Sequence, residues 1–346
     1  MQRNSATIKD IARAVGMDYS TVSLALRDHP RIAHATRQRI QQAAEQVGYV
    51  PNRAAQALRL GRSHTIAFVL WGDNSEQIRQ SFPDYTLAAT AAAFAAGYEL
   101  LLLQATAARL AATSIERFPE LRQTDGALFV GETLDRPGLA ALWRSGFPVV
   151  HLGERTLEGI ALPCVGADYA QGGALAAEHL LGFGHQRLGV LYGPHADVPE
   201  IHERRMAGFT ERAGDAVRAA IAVQRETAIE PVLARFQADG ITAVFATEQV
   251  IGLRLLTACS VAGVGVPQDM SVVAFDDLPS AALSTPPLTC IRQPRDLAGK
   301  LGLELLRDQI EARGVTTERL LLPCTLVARA SVAPPADARA AAAEER

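Results

Sequence analysis

The sequence predicts an α/β protein in which a small helical head precedes a long region of parallel, doubly wound sheet. Three observations predict it. Seven short apolar runs, TIAFVL, YELLLL, GALFV, FPVVHL, RLGVLYG, TAVFAT and SVVAFDD, alternate with Ala-rich helical stretches from about residue 63 onward, the order that builds parallel sheets. The first fifty residues show instead the i, i+3, i+4 spacing of short amphipathic helices. Charge divides at the same place: residues 1–62 hold ten Lys or Arg against four Asp or Glu, so in a chain of net charge −3 the remainder carries −9. A polyanion would be drawn to the head and repelled by the body.

The head can be justified element by element. Thr7 caps a first helix, Asp10 answers it three residues on as a weak capping box, and the helix runs to about Val15. Gly16 suits the left-handed backbone of a tight turn. Asp18 caps a second helix with Val22, Ala25 and Leu26 inward and Tyr19, Ser20, Ser23 and Leu24 outward. A third helix, Arg31 to Gly48, turns Ile32, Thr36, Ile40, Ala43, Ala44 and Val47 inward, and Pro51 opens a last short one. Two helices so spaced suit a helix-turn-helix whose second helix reads base edges in a major groove while Thr and Arg side chains clamp phosphates. A bare helical hairpin would look much the same.

The motifs TIKDIARAVG, TVS, Gly48-Tyr49, Pro51-Asn52 and the Ala-rich segment ending in Leu58 resemble, in order and spacing, the LacI/GalR family of transcriptional regulators, and the resemblance covers nearly the whole chain. It implies a homodimer on palindromic double-stranded operator DNA, with a hinge helix that folds on DNA and drives Leu58 between base pairs as a minor-groove wedge. The implied DNA-contacting residues are Thr7, Tyr19, Ser20, Thr21, Ser23, Leu24 and Arg27 in the head and Asn52, Arg53, Ala55 and Leu58 in the hinge. Tyr19 and Ser20 match family base-reading positions. Leu24 stands where many relatives carry a guanine-reading Arg, and Arg27 replaces a usual Asn, so the operator should differ accordingly.

For the body the resemblance implies a two-lobed, periplasmic-binding-protein-like sensor. The expected divisions are 1–50 helix-turn-helix, 51–62 hinge, 63–163 with 291–322 as the N-terminal lobe, 164–290 with 323–333 as the C-terminal lobe, and 334–346 as a disordered tail. The chain should then cross between lobes near Pro163, Cys290 and Pro323. A small-molecule effector would bind between the lobes, beyond the carboxyl ends of the strands. Arg205 in RRMAGF, Asp276 in AFDD and Asp168 in VGADYAQGG match family effector positions, and ATEQ places Glu248 and Gln249 where many relatives have Asn-Asp. Gly153 replaces a common Asp. No aromatic lies between Phe209 and Phe236, where ligand-stacking rings often occur, so Trp71 at the end of the first sensor strand is the candidate ring from the other lobe. The favoured effector is a sugar or sugar-like metabolite.

Other classes are weakened by what the chain lacks. Cys164, Cys259, Cys290 and Cys324 are scattered, which suits buried hydrophobes better than zinc ligands or disulfides, and no metal or cofactor is expected. The segment MQRNSATIKD shows no apolar signal and no run is long enough to span a membrane, so a cytoplasmic protein is expected. An exported solute-binding protein would share the two lobes but not the head. An α/β oxidoreductase needs a dinucleotide loop, and GFGHQR precedes its strand and has Arg187 at the place of the last glycine. No Gly-x-Ser-x-Gly elbow occurs, so enzyme activity is not expected.

Overall fold

The computed structural model describes residues 6–26, 29–49, 62–71, 76–131, 136–154, 160, 162–193, 199–224, 226–312 and 317–339. The chain divides into two compact units, 1–63 and 64–346.

The first unit holds three helices, α1 (Ile8–Val15), α2 (Tyr19–Ala25) and α3 (His34–Gln46). Asp10 accepts from the Thr7 backbone N–H at 2.9 Å and from its hydroxyl at 2.7 Å, which fixes the start of α1 and holds the Asp10 carboxyl below its usual range. Gly16 ends α1 at φ +67°, and the Arg39 guanidinium donates to the Val15 carbonyl at 3.0 Å. Asp18 caps α2 through the Thr21 N–H at 2.9 Å and the Thr21 hydroxyl at 2.6 Å. Ile11, Val15, Val22, Ala25, Ile40, Ala43 and Ala44 close the core. Ile11 and Ile40 are fully buried, each worth about 1.5–3 kcal/mol relative to exposure. The third helix starts at His34, three residues after the expected Arg31. The Arg31 and Ile32 N–H groups are already taken by the His29 ring nitrogen and carbonyl in a turn around Pro30.

The second unit is α/β throughout. Its first sheet contains β1 (Thr65–Trp71), β2 (Glu99–Ala105), β3 (Gly126–Gly131), β4 (Val149–Leu152), β5 (Cys164–Ala167) and β11 (Arg319–Leu322), in the order β11-β5-β4-β3-β1-β2 and wholly parallel. Its second contains β6 (Leu188–Tyr192), β7 (Val217–Ala222), β8 (Ala243–Ala246), β9 (Ser271–Phe275), β10 (Thr289–Arg292) and β12 (Thr325–Val327), in the order β12-β10-β9-β8-β6-β7. Only the β10–β12 pair among these is antiparallel. The helices are α4 (Glu76–Ala95), α5 (Ala107–Ala112), α6 (Arg136–Arg144), α7 (Tyr169–Gly182), α8 (Pro199–Ala213), α9 (Glu230–Ala238), α10 (Gln249–Ala262), α11 (Pro279–Leu283) and α12 (Arg295–Ala312).

Each sheet is covered on both faces, as parallel sheets require. In β1, Ile66 and Phe68 meet Tyr85 and Ala89 of α4 and Leu303 and Leu306 of α12, while Val69 and Trp71 meet Phe118, Phe129 and Leu139 on the other side. In the second sheet Phe245 and Phe275 pack with Ala176, Leu180 and Phe209, while Val244 and Val272 pack with Leu233, Phe236 and Leu255.

The chain passes from one sheet to the other after β5, after β10 and between β11 and β12. Cys164 therefore belongs to the first sheet and Ile291 to the second, so the first crossing lies at Asp168 instead of Pro163 and the second at Gln293 instead of Cys290. The shift has a plain cause: β5 needs the backbone of Cys164–Ala167 to pair β4 with β11. The tail expectation also needs correction over residues 334–339. Residues 336–339 form a helical turn, Arg339 N–H donates to the Pro335 carbonyl at 3.1 Å, and the Arg339 guanidinium donates to the Gln268 carbonyl.

Candidate functional site

On the head, α2 presents Tyr19, half exposed, and Ser20, exposed. The Ser20 hydroxyl donates to the Asp18 carboxylate, as the Thr21 hydroxyl does, and these bonds hold the Asp18 carboxyl well below its usual range. Thr7 is exposed at the start of α1. Ser23 does not face outward as expected. It is buried, because a small residue one position after Val22 lies at the edge of the face that packs on α1 and α3, and Leu24 is half-buried. Arg27, Asn52, Arg53, Ala55 and Leu58 lie outside the described residues.

In the second unit the sequence motif around Arg205 has a mechanical reason. Gly208 and Gly173 let α8 and α7 cross at backbone contact: a Cβ at Gly208 would lie 1.9 Å from the Ala170 carbonyl oxygen, and one at Gly173 would lie 2.0 Å from that of Arg205. Phe209 then inserts into the core, stacked on Phe245 with ring centres 4.6 Å apart. This crossing fixes Arg205 against the carboxyl end of β9. Its guanidinium carbon lies 4.0 Å from the Phe275 ring centre and 5.0 Å from that of Tyr169.

Arg205 Nη1 donates to the Thr247 carbonyl at 2.7 Å and to Asp276 Oδ2 at 3.4 Å. Asp276 Oδ1 accepts from Gln293 Nε2 and Arg295 Nη2. Arg295 opens α12 of the first lobe, so Asp276, Arg205 and Arg295 form an ion cluster that joins the lobes, with each side chain 4% exposed or less. Burial acts to raise the Asp276 pKa, but the two guanidiniums and the Gln293 amide outweigh it and hold the carboxyl below its usual range. Asp276 also has a left-handed φ of +76°, a conformation that Asp tolerates better than most residues and that turns its side chain back over the strand end. Tyr85 of α4 borders the cluster, and burial pushes its phenol up.

A second cross-lobe pair stands beside the first. Glu154, after β4, is bonded by Arg319 of its own lobe at 3.0 Å and by Arg204 of α8. Consecutive arginines of one helix thus serve both carboxylates. Glu248 is buried at the start of α10, 3.3 Å from His202 Nε2. Asp168 accepts from the Gln171 N–H at 3.0 Å and so caps α7 at the crossing.

The structure therefore brings Arg205 and Asp276 together, with Glu248 next to the Thr247 carbonyl that anchors Arg205. Trp71 is not with them. It is wholly buried in the first-lobe core, 5.4 Å from the Phe129 ring centre, because odd-numbered β1 side chains point away from α4 and α12. Arg295, Gln293, Glu154, Arg204 and Arg319 escaped the sequence reading. RQPR after β10 and the doubled arginine of RRMAGF read locally as surface charge, since their partners lie on the other lobe. Among the described residues no group of three or more His, Cys, Asp or Glu could hold a metal, and no helix is long and apolar enough to cross a membrane.

Comparison with known proteins finds two matched segments. Residues 7–52 match the model of bacterial regulatory proteins of the lacI family, and residues 177–332 match that of a periplasmic binding protein-like domain. The transcriptional regulator CelR of Thermobifida fusca is 29% identical over 95% of this chain and 99% of its own length. The repressor CytR of Escherichia coli K12 is 28% identical over 95% and 97%. The chain resembles the LacI family in both matched segments. It is a DNA-binding transcriptional regulator with an effector-binding domain, and not an enzyme. The structure of a CelR–cellobiose complex superposes with a TM-score of 0.66 at 26% identity, covering 94% of this chain and 99% of that one. The fold is also that of a lac repressor dimer bound to operator and an anti-inducer, at a TM-score of 0.78, 23% identity and coverage of 95% and 100%.

Proposed function

We propose that this LacI-family regulator is a cytoplasmic homodimeric repressor that binds a palindromic operator and answers to a small sugar-like effector held between its lobes. The observation that carries the reading is the buried Arg205–Asp276–Arg295 cluster, which ties one lobe to the other at the strand ends where open α/β sheets bind ligands. A ligand that contacts this cluster changes the relative stability of lobe arrangements, and any arrangement that alters head spacing alters operator affinity. The cellobiose complex of CelR supports a sugar-like ligand. Tyr19 and Ser20 of α2 read base edges, Thr7 and Thr21 contact phosphate, and Leu58 is the minor-groove wedge.

Dimerisation is supported by apolar side chains that a monomer would leave in water. Phe94 of α4 and Leu283 of α11 are each 83% exposed, and Leu87, Val250 and Val261 are also exposed. The test is sedimentation of the full chain with and without a palindromic operator chosen from a randomised library. A dimer that binds the selected site and ignores a scrambled one is expected; a monomer, or equal binding to both, contradicts the reading.

A further inference from the structure

The cluster also indicates what kind of ligand it takes. Arg205 Nη1 is fully engaged by the Thr247 carbonyl and Asp276, and the rings of Phe275 and Tyr169 fix the plane of the guanidinium. The opposite edge is left with an unmatched donor. Nε is buried with no hydrogen-bond partner, and the bonds of the guanidinium to the described residues run through Nη1. Nε and Nη2 form the side-on fork of an arginine, the pair of parallel donors that matches the two oxygens of a carboxylate. A buried donor without an acceptor is costly, so this edge is built for a group that the protein itself does not supply.

Charge balance points the same way. Two guanidiniums share the Asp276 carboxylate with all three side chains 4% exposed or less, and Asp84 adds negative charge on the Arg295 side, which leaves Arg205 with only its share of Asp276. The other buried acids nearby are already engaged: Glu248 with His202, and Glu154 with Arg204 and Arg319. Asp276 accepts from Arg205, Gln293 and Arg295. Resting on the reading of this cluster as the effector site, we propose that the effector is a carboxylate-bearing small molecule of the sugar-acid class, held by the Nε–Nη2 edge of Arg205 with Arg295 as the second cation.

The test uses the full chain and matched probes: gluconate, glucuronate and galacturonate against glucitol, glucose and galactose, by thermal shift and then calorimetry. A charge-assisted pair of bonds predicts that at least one acid binds about 10- to 100-fold more tightly than its neutral counterpart. Arg205→Lys keeps the charge but removes the fork, and should lose most of that preference. Arg295→Gln lowers the local charge by one and should reduce it too, which keeps the test decisive if Arg205→Lys does not fold. The proposal is overturned if no acid shifts the melting point more than its neutral counterpart, or if the preference survives both substitutions. A neutral sugar that binds and is lost in Arg205→Lys would overturn the carboxylate class and leave the effector site standing. Sugar-acid binding that both variants retain in full would remove the cluster from ligand recognition altogether.

Discussion

Replacing Asp276 by Asn preserves volume and removes the one negative charge that two buried arginines share. Asp276 is 1% exposed and Arg205 and Arg295 are each 4% exposed, so solvent cannot compensate for the loss. Breaking a buried ion pair from one side costs about 3–5 kcal/mol, because the remaining charges stay desolvated. For a unit of this size each kcal/mol moves the melting point by about 2 °C, so Asp276→Asn should lower it by roughly 6–10 °C. Far-UV circular dichroism of the full chain reports the transition. Tryptophan emission adds a local probe, since Trp71 and Trp143 both pack in the first lobe. The same substitution should alter the acid limb. With a folded pKa below the unfolded value of about 3.9, Asp276 contributes stability above that pH and loses it as pH falls through the folded value. The stability of Asp276→Asn should therefore fall less steeply than wild type below about pH 4. An unchanged melting point at pH 7, with an unchanged acid limb, would refute the view that the cluster is a desolvated ion network.

Other substitutions separate positions that sequence alone would treat alike. Gly208→Ala should destabilise by more than the 1–3 kcal/mol usual for overpacking, since its Cβ would meet the Ala170 carbonyl at 1.9 Å; a thermal melt within 1 °C of wild type would contradict the α7–α8 contact. Trp71→Ala should cost about 3–5 kcal/mol as a core truncation, measured by urea unfolding, whereas a residue that only stacks on ligand would leave stability unchanged. Tyr19→Ala should leave the fold intact and shift the selected operator sequence, with about 1–3 kcal/mol of discrimination lost at one base pair; an identical selected motif would remove Tyr19 from base readout.

Much of this architecture is legible in residue order, and the gaps have physical causes. The seven strongest apolar runs are all strands; six of them pair on both sides and need a continuous hydrophobic segment, and the seventh, Glu99–Ala105, is an edge strand beside Thr65–Trp71. The strands of Cys164–Ala167 and Arg319–Leu322 are four residues long, carry Gly, Ala or a charged end, and acquire their form from long-range pairing. That is why the first lobe crossing lies a few residues past its expected place. Arg205 and Asp276 are readable because local motifs surround them, a close helix crossing and an apolar strand end. Arg295 and Glu154 are not, because their partners lie on the other lobe, and nothing local distinguishes them from surface charge. For Trp71 the position at a strand end is readable, but the face to which it turns depends on which helices cover the sheet.

The account rests on a link between the interlobe cluster and the DNA-binding head. The most direct measurement is operator affinity of the full chain, by fluorescence anisotropy on its selected palindrome, with and without each sugar acid and neutral sugar, for wild type and Arg205→Lys. The account predicts that at least one ligand changes wild-type affinity by about 5- to 150-fold, and that Arg205→Lys binds the same operator but loses the response. No selectable operator, or a ligand response undiminished in Arg205→Lys, would contradict it.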